Sequence, residues 1–324
     1  MKIAVTGATG HIGTNLIPTL IQNHFEVRAL IHQDFHGPEF PQVEKFKGDV
    51  LDPESMEKFT DGADTVIHLA AKISIEKKSP EALQVNIEGT RNTLRASLKT
   101  GVRHFIHFSS IHSLKSKPLN EVLDETRSLN LDSDTDYDRS KAEGERMVME
   151  VSGSGLPVTV LNPTAVIGPN DYIPSLLGRA IINLYQGKIP SLVNGGYDWV
   201  DVRDIAEATL AAIKSERRGE KYMLSGEWKS MRDLAGTIHR CGGAAVPRFT
   251  IPFPVAMAGA SILNRMMTGR ERLFTPVSLE SLRISHRNIS HNKAARELGY
   301  RPRPFDGTIA DTIDWFKKNK LIAA

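Results

Sequence analysis

Residues 3–13 read Ile-Ala-Val-Thr-Gly-Ala-Thr-Gly-His-Ile-Gly, and this stretch decides the fold. The apolar run Ile3–Val5 is typical of a β-strand, and it leads through Gly7, Gly10 and Gly13 into a helix-compatible segment. Glycines at this spacing permit a tight turn, close approach of the backbone to a pyrophosphate, and close packing of helix on strand. The helix N-terminus adds unpaired N–H groups and a partial positive charge. Because the motif directly follows a predicted strand, it predicts a dinucleotide-binding site.

The composition is that of an ordinary globular protein. Its 324 residues suffice for one large domain, or for a nucleotide domain with a smaller companion. The chain has 41 basic and 38 acidic residues, and this balance is too even to indicate nucleic-acid binding. Cys241 is the single cysteine, which excludes a disulfide framework and a cysteine metal cage. We predict no metal site, and we interpret His104, His107 and His112 as structural or surface residues.

The sequence gives no indication of a membrane segment. The first predicted strand begins almost at the start of the chain, which leaves no room for a signal peptide. The most apolar later stretch, Ile251–Met267, is interrupted by Pro252 and Pro254 and carries Asn264 and Arg265. It is too short and too interrupted to span a bilayer. We therefore expect a cytoplasmic protein without a membrane span.

Short apolar segments alternate with helix-compatible segments in the first half of the chain, which indicates a parallel sheet. The predicted strands are Ile3–Thr6, Glu26–Ile31, Val43–Lys47, Thr65–Leu69, His104–Phe108 and Val158–Asn162. The predicted helices are Ile12–Gln22, Pro53–Phe59, Pro80–Lys99 and Tyr137–Val151. Right-handed crossovers join such elements into a Rossmann-type doubly wound α/β fold, whose ligands bind at the carboxyl ends of the strands.

The alternation stops after Asn162, where loop-forming residues follow: Pro163, Pro169, Pro174, Pro190 and the pair Gly195-Gly196. We expect residues 1–167 to form the nucleotide-binding domain, to which residues 197–225 return. Residues 168–196 and 226–320 are expected to form a smaller, mostly helical lobe that lies over the crevice and binds the substrate.

A second motif, Tyr137-Asp138-Arg139-Ser140-Lys141, precedes a strongly helical run. Residues four apart lie on one helical face, so the Tyr137 hydroxyl and the Lys141 ammonium can face one cleft. A phenol with a pKa near ~10 is a poor acid–base at neutral pH, and a nearby cation lowers that pKa. The glycine motif, the parallel sheet and the strand that ends at Ser109-Ser110 together favour a catalytic interpretation of the pair.

With these motifs in this order, the chain resembles the extended short-chain dehydrogenases/reductases of the NAD-dependent epimerase/dehydratase superfamily over nearly its whole length. Residues 6–13 are similar to the family's glycine motif, residues 85–90 resemble its asparagine helix, and residues 200–204 and 298–302 resemble its late landmarks. The resemblance implies four catalytic residues, Ser110, Tyr137, Lys141 and Asn86. It also implies a set of dinucleotide contacts: Gly7, Thr9, Gly10, His11, Ile12, Gly13, His32, Asp49, Val50, Leu69, Ala70, Ala71, Tyr137, Lys141, Pro163, Thr164 and Val166.

Three branches of the family remain open. Dehydratases usually carry Thr-Asp-Glu where this chain has the acid-free segment 109–113, and epimerases commonly show Val-Tyr-Gly where it has Ser113-Leu114-Lys115. Residues 25–32, 162–169 and 195–204 look most like the dihydroflavonol-reductase and 3β-hydroxysteroid-dehydrogenase branch. We therefore favour a carbonyl reductase or alcohol dehydrogenase. A nucleotide-sugar epimerase and a non-catalytic dinucleotide-binding protein are the alternatives.

The cofactor preference depends on the residue at the end of the second strand. An acidic side chain there bonds the ribose 2′-hydroxyl and repels a 2′-phosphate, but this chain has His32. In the reductase branch this position often carries an arginine, and a histidine can also donate to phosphate, although it is only partly charged. Asp34 lies two residues further on and is the alternative that favours NAD. We predict NADP, with NAD as the alternative.

By the same resemblance, hydride passes between the nicotinamide and a substrate carbonyl carbon while Tyr137 exchanges the proton on oxygen and Ser110 holds that oxygen. Lys141 is expected to lower the Tyr137 pKa and to bond the nicotinamide ribose, and Asn86 is expected to position Lys141. The cofactor carries the difficult chemistry, and the protein orients it.

The substrate is indicated only by the segments expected to cover the crevice. These segments, Tyr172–Tyr185 and Pro252–Thr268, are mostly apolar, and Arg179 is the main basic residue of the first. A diphosphate sugar usually needs basic and hydrogen-bonding partners, so this composition favours an apolar carbonyl compound. A small-molecule substrate is the expected partner, and a homodimer is left open.

Overall fold

The computed structural model of the chain describes residues 1–32, 37–153, 155–266 and 274–323, with backbone alone for 262–266. Its strands are β1 Lys2–Thr6, β2 Glu26–Ile31, β3 Glu44–Lys47, β4 Thr65–His68, β5 His104–Phe108, β6 Val158–Pro163, β7 Ala165–Ile167, β8 Ser191–Val193, β9 Gly196–Asp201, β10 Glu220–Leu224, β11 Glu227–Ser230 and β12 Phe249–Ile251. Its helices are α1 His11–Gln22, α2 Pro53–Thr60, α3 Pro80–Leu83, α4 Gly89–Lys99, α5 Asp136–Ser152, α6 Leu176–Tyr185, α7 Val202–Lys214, α8 Met231–Arg240, α9 Phe253–Met266, α10 Pro276–Ile284, α11 Asn292–Leu298 and α12 Phe305–Lys318.

Seven strands form one parallel sheet in the order β10-β6-β5-β4-β1-β2-β3. The chain runs outward from β1 to β3 and then crosses to β4 on the other side of β1. This change of direction makes a crevice between the carboxyl ends of β1 and β4, where such sheets bind their ligands. All six predicted strands lie in this sheet, and the Rossmann-type doubly wound fold is confirmed.

The large sheet is buried on both faces. In β1, Ile3 and Val5 pack into one hydrophobic cluster with side chains of α1 and α7, and Ala4 packs into a second with side chains of α2, α4 and α5. Successive side chains of a strand point to opposite faces, so a strand covered on both faces is apolar at every position. This explains the uninterrupted apolar run that precedes the glycines.

The predicted helix Pro80–Lys99 is confirmed, but it contains one irregular turn. A five-residue π-helical turn, Gln84–Glu88, joins α3 to α4 and carries the buried Asn86. Wide turns of this kind occur frequently at functional sites. The other three predicted helices form with ends within one residue of the expected ones.

Beyond β6 the chain also builds a three-stranded sheet, β11-β9-β7, and a two-stranded sheet, β12-β8. Residues 197–225 are predicted to return to the large sheet; within them, α7 packs on α1, and β10 pairs with β6. The beginning of this segment differs, because β9 pairs with β7 and β11 instead. Gly226 N donates to Asp198 Oδ1 over 2.7 Å and so directs β11 alongside β9. The assignment of 168–196 and 226–320 to a substrate lobe stays a prediction.

Two further observations concern the described part of the chain. None of its helices combines the length and the apolar character needed to cross a membrane. Within the same ranges, no three or more His, Cys, Asp and Glu side chains are grouped so that they could hold a metal ion.

Candidate functional site

The glycine loop between β1 and α1 contains two crowded glycines, with Thr9 in the turn between them. Gly7 has a φ of 67°, and a Cβ there would lie 2.6 Å from the backbone nitrogen of Ala70. A Cβ on Gly13 would lie 2.5 Å from the carbonyl oxygen of Ala8. Both distances are far below van der Waals contact, so a side chain at either position would force β1, the β4 loop and α1 apart.

The middle glycine faces open space. A Cβ on Gly10 would meet only the Gly7 carbonyl oxygen, at 3.4 Å. Gly10 is also the N-cap of α1 and provides no side-chain cap, so the first N–H groups of the helix, from His11, Ile12 and Gly13, remain available to a ligand. An open backbone and free donors at the positive end of a helix fit a dinucleotide pyrophosphate.

The loop after β7 covers this end of α1. Asn15 Nδ2 donates to the Pro169 carbonyl oxygen over 3.1 Å, and Thr14 Oγ1 donates to the Asn170 carbonyl oxygen over 2.9 Å. The imidazole of His11 bonds to the same Pro169 oxygen, at 3.0 Å. The predicted contact His11 therefore directs its side chain to this loop, and its backbone N–H is the group left for a phosphate.

The residues predicted to contact the adenosine lie at the carboxyl ends of β2 and β3. His32 Nδ1 lies 3.7 Å from Asp49 Oδ2, and both side chains are exposed. Asp49 Oδ1 accepts a hydrogen bond from Leu51 N over 2.9 Å, which fixes the carboxylate, and Val50 is buried beside it. Asp34, the alternative ribose contact, lies outside the described residues.

The loop after β4 runs beside the glycine loop. Leu69 N donates to the Thr6 carbonyl oxygen and Ala70 N to the Thr6 hydroxyl, each over 3.2 Å. Ala71 follows and is exposed. The three predicted contacts Leu69, Ala70 and Ala71 therefore lie along the crevice between β1 and β4.

Asn86 connects this loop to the start of α5. Its Oδ1 accepts from Lys72 N over 2.7 Å, and its Nδ2 donates to the Lys72 carbonyl oxygen over 3.1 Å and to Ser140 Oγ over 2.9 Å. The side chain therefore contacts the residue that precedes Lys141 on α5. The predicted positioning of Lys141 by Asn86 stays a prediction, with the α5 backbone as its route.

Ser110 and Tyr137 meet at the carboxyl end of β5. Ser110 is buried two residues beyond this strand, and Tyr137 lies in the first turn of α5. Burial raises the pKa of Tyr137 to about 12, a hydrogen bond with Ser110 acts in the opposite direction, and the charge of Asp138 raises it. The structure thus brings together the serine and the tyrosine that the sequence indicates.

Lys141 is buried one turn further along α5. Its Nζ donates to the Phe108 carbonyl oxygen, at the end of β5, over 2.6 Å. Burial lowers the pKa of Lys141 to about 8, and the charge of Glu145 opposes this shift. Lys141 is not among the groups that shift the pKa of Tyr137 in this structure. The expected lowering of that pKa by Lys141 therefore stays a prediction.

Sequence reasoning missed Glu145, a fully buried carboxylate on the next turn of α5. Its Oε2 accepts from three donors and its Oε1 from a fourth: Ser109 Oγ at 2.7 Å, Ser113 Oγ at 2.6 Å, Asn162 Nδ2 at 2.7 Å and Lys221 Nζ at 2.9 Å. Burial raises the pKa of Glu145, but Lys221 and the hydroxyl donors lower it by more. An acidic residue four places after the motif lysine is the signal that could have revealed it.

The Glu145 network also fixes the backbone of Ser110. Ser113 Oγ lies 2.8 Å from the Ser110 carbonyl oxygen, and Asn162 Nδ2 donates to the same oxygen over 3.2 Å. Both donors bond to Glu145 as well. The position of Ser110 relative to α5 therefore depends on a carboxylate buried below the site.

The three histidines interpreted as structural or surface residues occupy different environments. His104 and His107 are buried in β5, and burial is the main cause of their lowered pKa values. His112 instead lies edge-on to the Tyr137 ring, with the ring centroids 5.7 Å apart. His112 therefore belongs to the site by its position.

The remaining predicted contacts, Pro163, Thr164 and Val166, lie where the chain passes from β6 to β7. Thr164 Oγ1 donates to Asp198 Oδ1 over 2.7 Å, and burial raises the pKa of Asp198 to about 6. Val166 pairs with Val200 in the three-stranded sheet. This segment thus connects the large sheet to the small one.

The chain is similar to known proteins over its whole length. It matches the NAD dependent epimerase/dehydratase family over residues 3–225. It is 32% identical to sterol demethylase protein B of Methylococcus capsulatus, over 99% of this chain and 100% of that protein. It is 26% identical to a putative dihydroflavonol 4-reductase of Synechocystis, over 98% of this chain and 95% of that one. The crystal structure of gox2253 superposes with a TM-score of 0.84 at 29% identity and covers 99% of both chains.

Proposed function

The chain belongs to the NAD-dependent epimerase/dehydratase family, and from this premise we propose that it reduces an apolar aldehyde or ketone, or oxidises the corresponding alcohol, with NAD(P) as cofactor. The observation that carries the proposal is that Ser110 and Tyr137 lie together at the carboxyl end of β5, on the same edge of the sheet as the open glycine loop. The relative named as a dihydroflavonol reductase supports a reduction, and the relative named for a sterol supports an apolar substrate.

The roles of the side chains follow from their hydrogen bonds and charges. A bound nicotinamide dinucleotide would supply or accept the hydride. Tyr137 would donate its proton to the developing oxyanion, and Ser110, which lies beside Tyr137, would hold the same oxygen. The buried ammonium of Lys141, which donates to a carbonyl oxygen at the end of β5, would add a positive charge at the same end of this strand, where a low dielectric strengthens its effect.

Exposed apolar side chains at the carboxyl edge of the large sheet support the apolar substrate. Ile73 lies on the loop after β4, Ile173 on the loop after β7 and Phe274 just before α10. Thr275 Oγ1 donates to the Ile75 carbonyl oxygen over 2.6 Å, which holds the segment before α10 against the β4 loop. Apolar side chains of this kind suit an apolar carbonyl compound better than a diphosphate sugar.

The predicted covering segments support the same choice where they are described. In Tyr172–Tyr185, the Tyr172 ring packs edge-on to Trp315 at 5.0 Å, and Arg179 donates to the Pro174 carbonyl oxygen over 3.1 Å. The second segment, Pro252–Thr268, includes α9, and its last two residues lie outside the described ranges. The Arg179 guanidinium thus bonds to a backbone carbonyl oxygen just before α6, the helix that carries it.

We expect the protein to purify largely free of nucleotide and to turn over only with added NADPH or NADH. A reductase must release its oxidised cofactor in every cycle, whereas a sugar epimerase oxidises and then re-reduces the same substrate on a retained NAD. Mass spectrometry of the denatured supernatant measures the retained nucleotide, and absorbance follows cofactor consumption against carbonyl compounds and against UDP- and dTDP-sugars. Tyr137→Phe is the control without turnover.

Two outcomes of this experiment would contradict the proposal. Stoichiometric NAD in the supernatant, with conversion of a sugar nucleotide and no net cofactor consumption, would assign an epimerase. Tight nucleotide binding with no turnover on either panel would assign a non-catalytic binding protein.

We expect His32 to govern the preference for NADP over NAD. His32→Arg should tighten NADPH binding, and His32→Asp should shift the preference toward NADH, because the position follows β2 at the crevice. A charge-assisted hydrogen bond contributes about 1.5–3 kcal/mol, or roughly ten- to a hundredfold in the affinity ratio. Titration of both cofactors measures it. His24→Asp is the matched control, since the exposed His24 lies at the opposite end of β2. Equal ratios in all proteins would exclude His32 from the site.

A further inference from the structure

A short turn directly after Ser110 places a histidine beside the proposed acid–base group. Residues Ile111–Ser113 form a 3₁₀ turn, and the His112 N–H donates to Ser110 Oγ over 3.2 Å. The His112 ring then lies edge-on to the Tyr137 ring, at an interplanar angle of 65°. An ionisable side chain is thereby held in contact with Tyr137.

Asp138 holds the imidazole of His112. His112 Nδ1 lies 3.1 Å from Asp138 Oδ1, with the two side chains 37% and 22% exposed. Asp138 is the residue after Tyr137 on α5, and Ser133 Oγ donates to it over 3.4 Å. The Asp138 carboxylate, the His112 imidazole and the Tyr137 phenol therefore form one compact group.

The charges of this group act on one another. Burial lowers the pKa of His112, but the Asp138 carboxylate raises it by more, so that it lies above its usual value. Burial raises the pKa of Asp138, and His112 together with the hydroxyl donors Thr135 and Ser133 lowers it by more. The Asp138 charge also raises the pKa of Tyr137, in addition to burial and against the Ser110 hydrogen bond.

The other charged groups packed against this turn have partners elsewhere. Lys141 Nζ donates to a carbonyl oxygen at the end of β5, and Glu145 accepts from Ser113 Oγ on the buried side of the turn. Among the described residues, Asp138 is the charge that shifts the pKa of His112.

We propose that protonated His112 shields Tyr137 from the negative charge of Asp138 and so favours transfer of the Tyr137 proton to the substrate oxygen. The inference rests on the proposed function. With His112 protonated, the pair with Asp138 is neutral, and ionisation of Tyr137 creates one net negative charge. With His112 neutral, the same step places two negative charges on adjacent residues, which opposes it. His112 acts through Tyr137 and is a positioning residue.

The sign of the pH dependence follows directly. For carbonyl reduction, kcat should fall as the pH rises through the pKa of His112, which the Asp138 carboxylate raises above the ordinary imidazole value of 6.5. His112→Gln should have the lower rate throughout, because Asp138 is never compensated. Asp138→Asn should keep the higher rate throughout, because no charge needs compensation. We expect the two plateaus to differ by about three- to tenfold.

The deciding comparison adds the double variant H112Q/D138N. It should follow Asp138→Asn, since the loss of His112 matters only while Asp138 is charged. Titration of Lys141, whose pKa burial lowers to about 8, is common to all four proteins and cancels in the comparison. A His112→Gln profile equal to wild type, or a double variant as slow as His112→Gln, would overturn the proposal.

Two measurements without substrate separate this proposal from the proposed function. NMR titration of the imidazole should show a lower His112 pKa in Asp138→Asn than in wild type. Difference absorbance against Tyr137→Phe should show that the Tyr137 phenolate forms at lower pH in Asp138→Asn. If no carbonyl compound is reduced, the proposed function fails, but these titrations still test the coupling of His112, Asp138 and Tyr137. If neither the His112 titration nor the Tyr137 titration shifts in Asp138→Asn, the coupling is overturned.

Discussion

Replacing Tyr137 with phenylalanine is expected to lower kcat by about a hundredfold or more while the dinucleotide affinity stays nearly unchanged. The variant keeps the ring that packs against His112 and loses only the hydroxyl. A general acid–base group contributes about 10²–10⁴-fold to a rate, and its removal leaves the cofactor contacts in place. Single-turnover reduction and fluorescence titration of the dinucleotide measure the two quantities separately.

Tyr185→Phe is the matched control for this experiment. Tyr185 lies on α6, where Lys317 Nζ is 5.5 Å from its ring centroid, and its hydroxyl has no role in the proposed chemistry. This variant should retain the wild-type kcat. A Tyr137→Phe protein that keeps a tenth of the wild-type kcat would show that Tyr137 is not the acid–base group.

Replacing Glu145 with glutamine should lower the free energy of unfolding by about 3 kcal/mol, although the side chain keeps its size. The amide removes the negative charge from two cations, Lys221 and Lys141, and presents a donor where Lys221 already donates. Urea unfolding measures this loss, provided that the m-value, the slope of the unfolding free energy with urea concentration, is the same for both proteins. The group with the lowered pKa contributes its stability above the unfolded value of about 4.3, so the difference between the two proteins should shrink as the pH falls below it.

Glu143→Gln provides the control on the same helix. Glu143 is a partly exposed carboxylate paired with Arg146 over 2.5 Å, and exposed pairs contribute about 0–1 kcal/mol. If Glu145→Gln and Glu143→Gln destabilise the protein equally, the buried network does not support the site as described.

The large sheet could be predicted because each strand carries its own local signal. Val5 ends an apolar run that is covered on both faces, and the segments that follow β1, β3, β4 and β5 have the length and composition of crossover helices. The four-residue spacing of Tyr137 and Lys141 likewise indicates that both side chains lie on one face of α5. Such local patterns identify the elements, and the rules of parallel sheets then bring their carboxyl ends together.

The polar network below the site could not be predicted in the same way. Ser109, Asn162 and Lys221 come from the end of β5, from β6 and from β10, respectively, and no sequence pattern relates them to one carboxylate on α5. His112 reaches Tyr137 across a connection of more than twenty residues. Helical spacing also does not determine which partner the end of a long side chain reaches. The buried ammonium of Lys141 is an example, because it bonds to a carbonyl oxygen at the end of a strand.

The π-helical turn has a consequence for the phase of the helix that contains it. Ala82, Asn86 and Thr90 are buried at intervals of four residues. Eight residues of regular α-helix rotate by about 800°, so Thr90 would point about 80° away from the side that Ala82 occupies. The wider turn absorbs this angular excess. Asn86 can therefore support the loop beside the crevice while Thr90, 3.1 Å from His68, stays in register with the sheet. The additional residue in the wider turn lets Asn86 face the loop after β4 while Thr90 faces the large sheet, within one continuous helix.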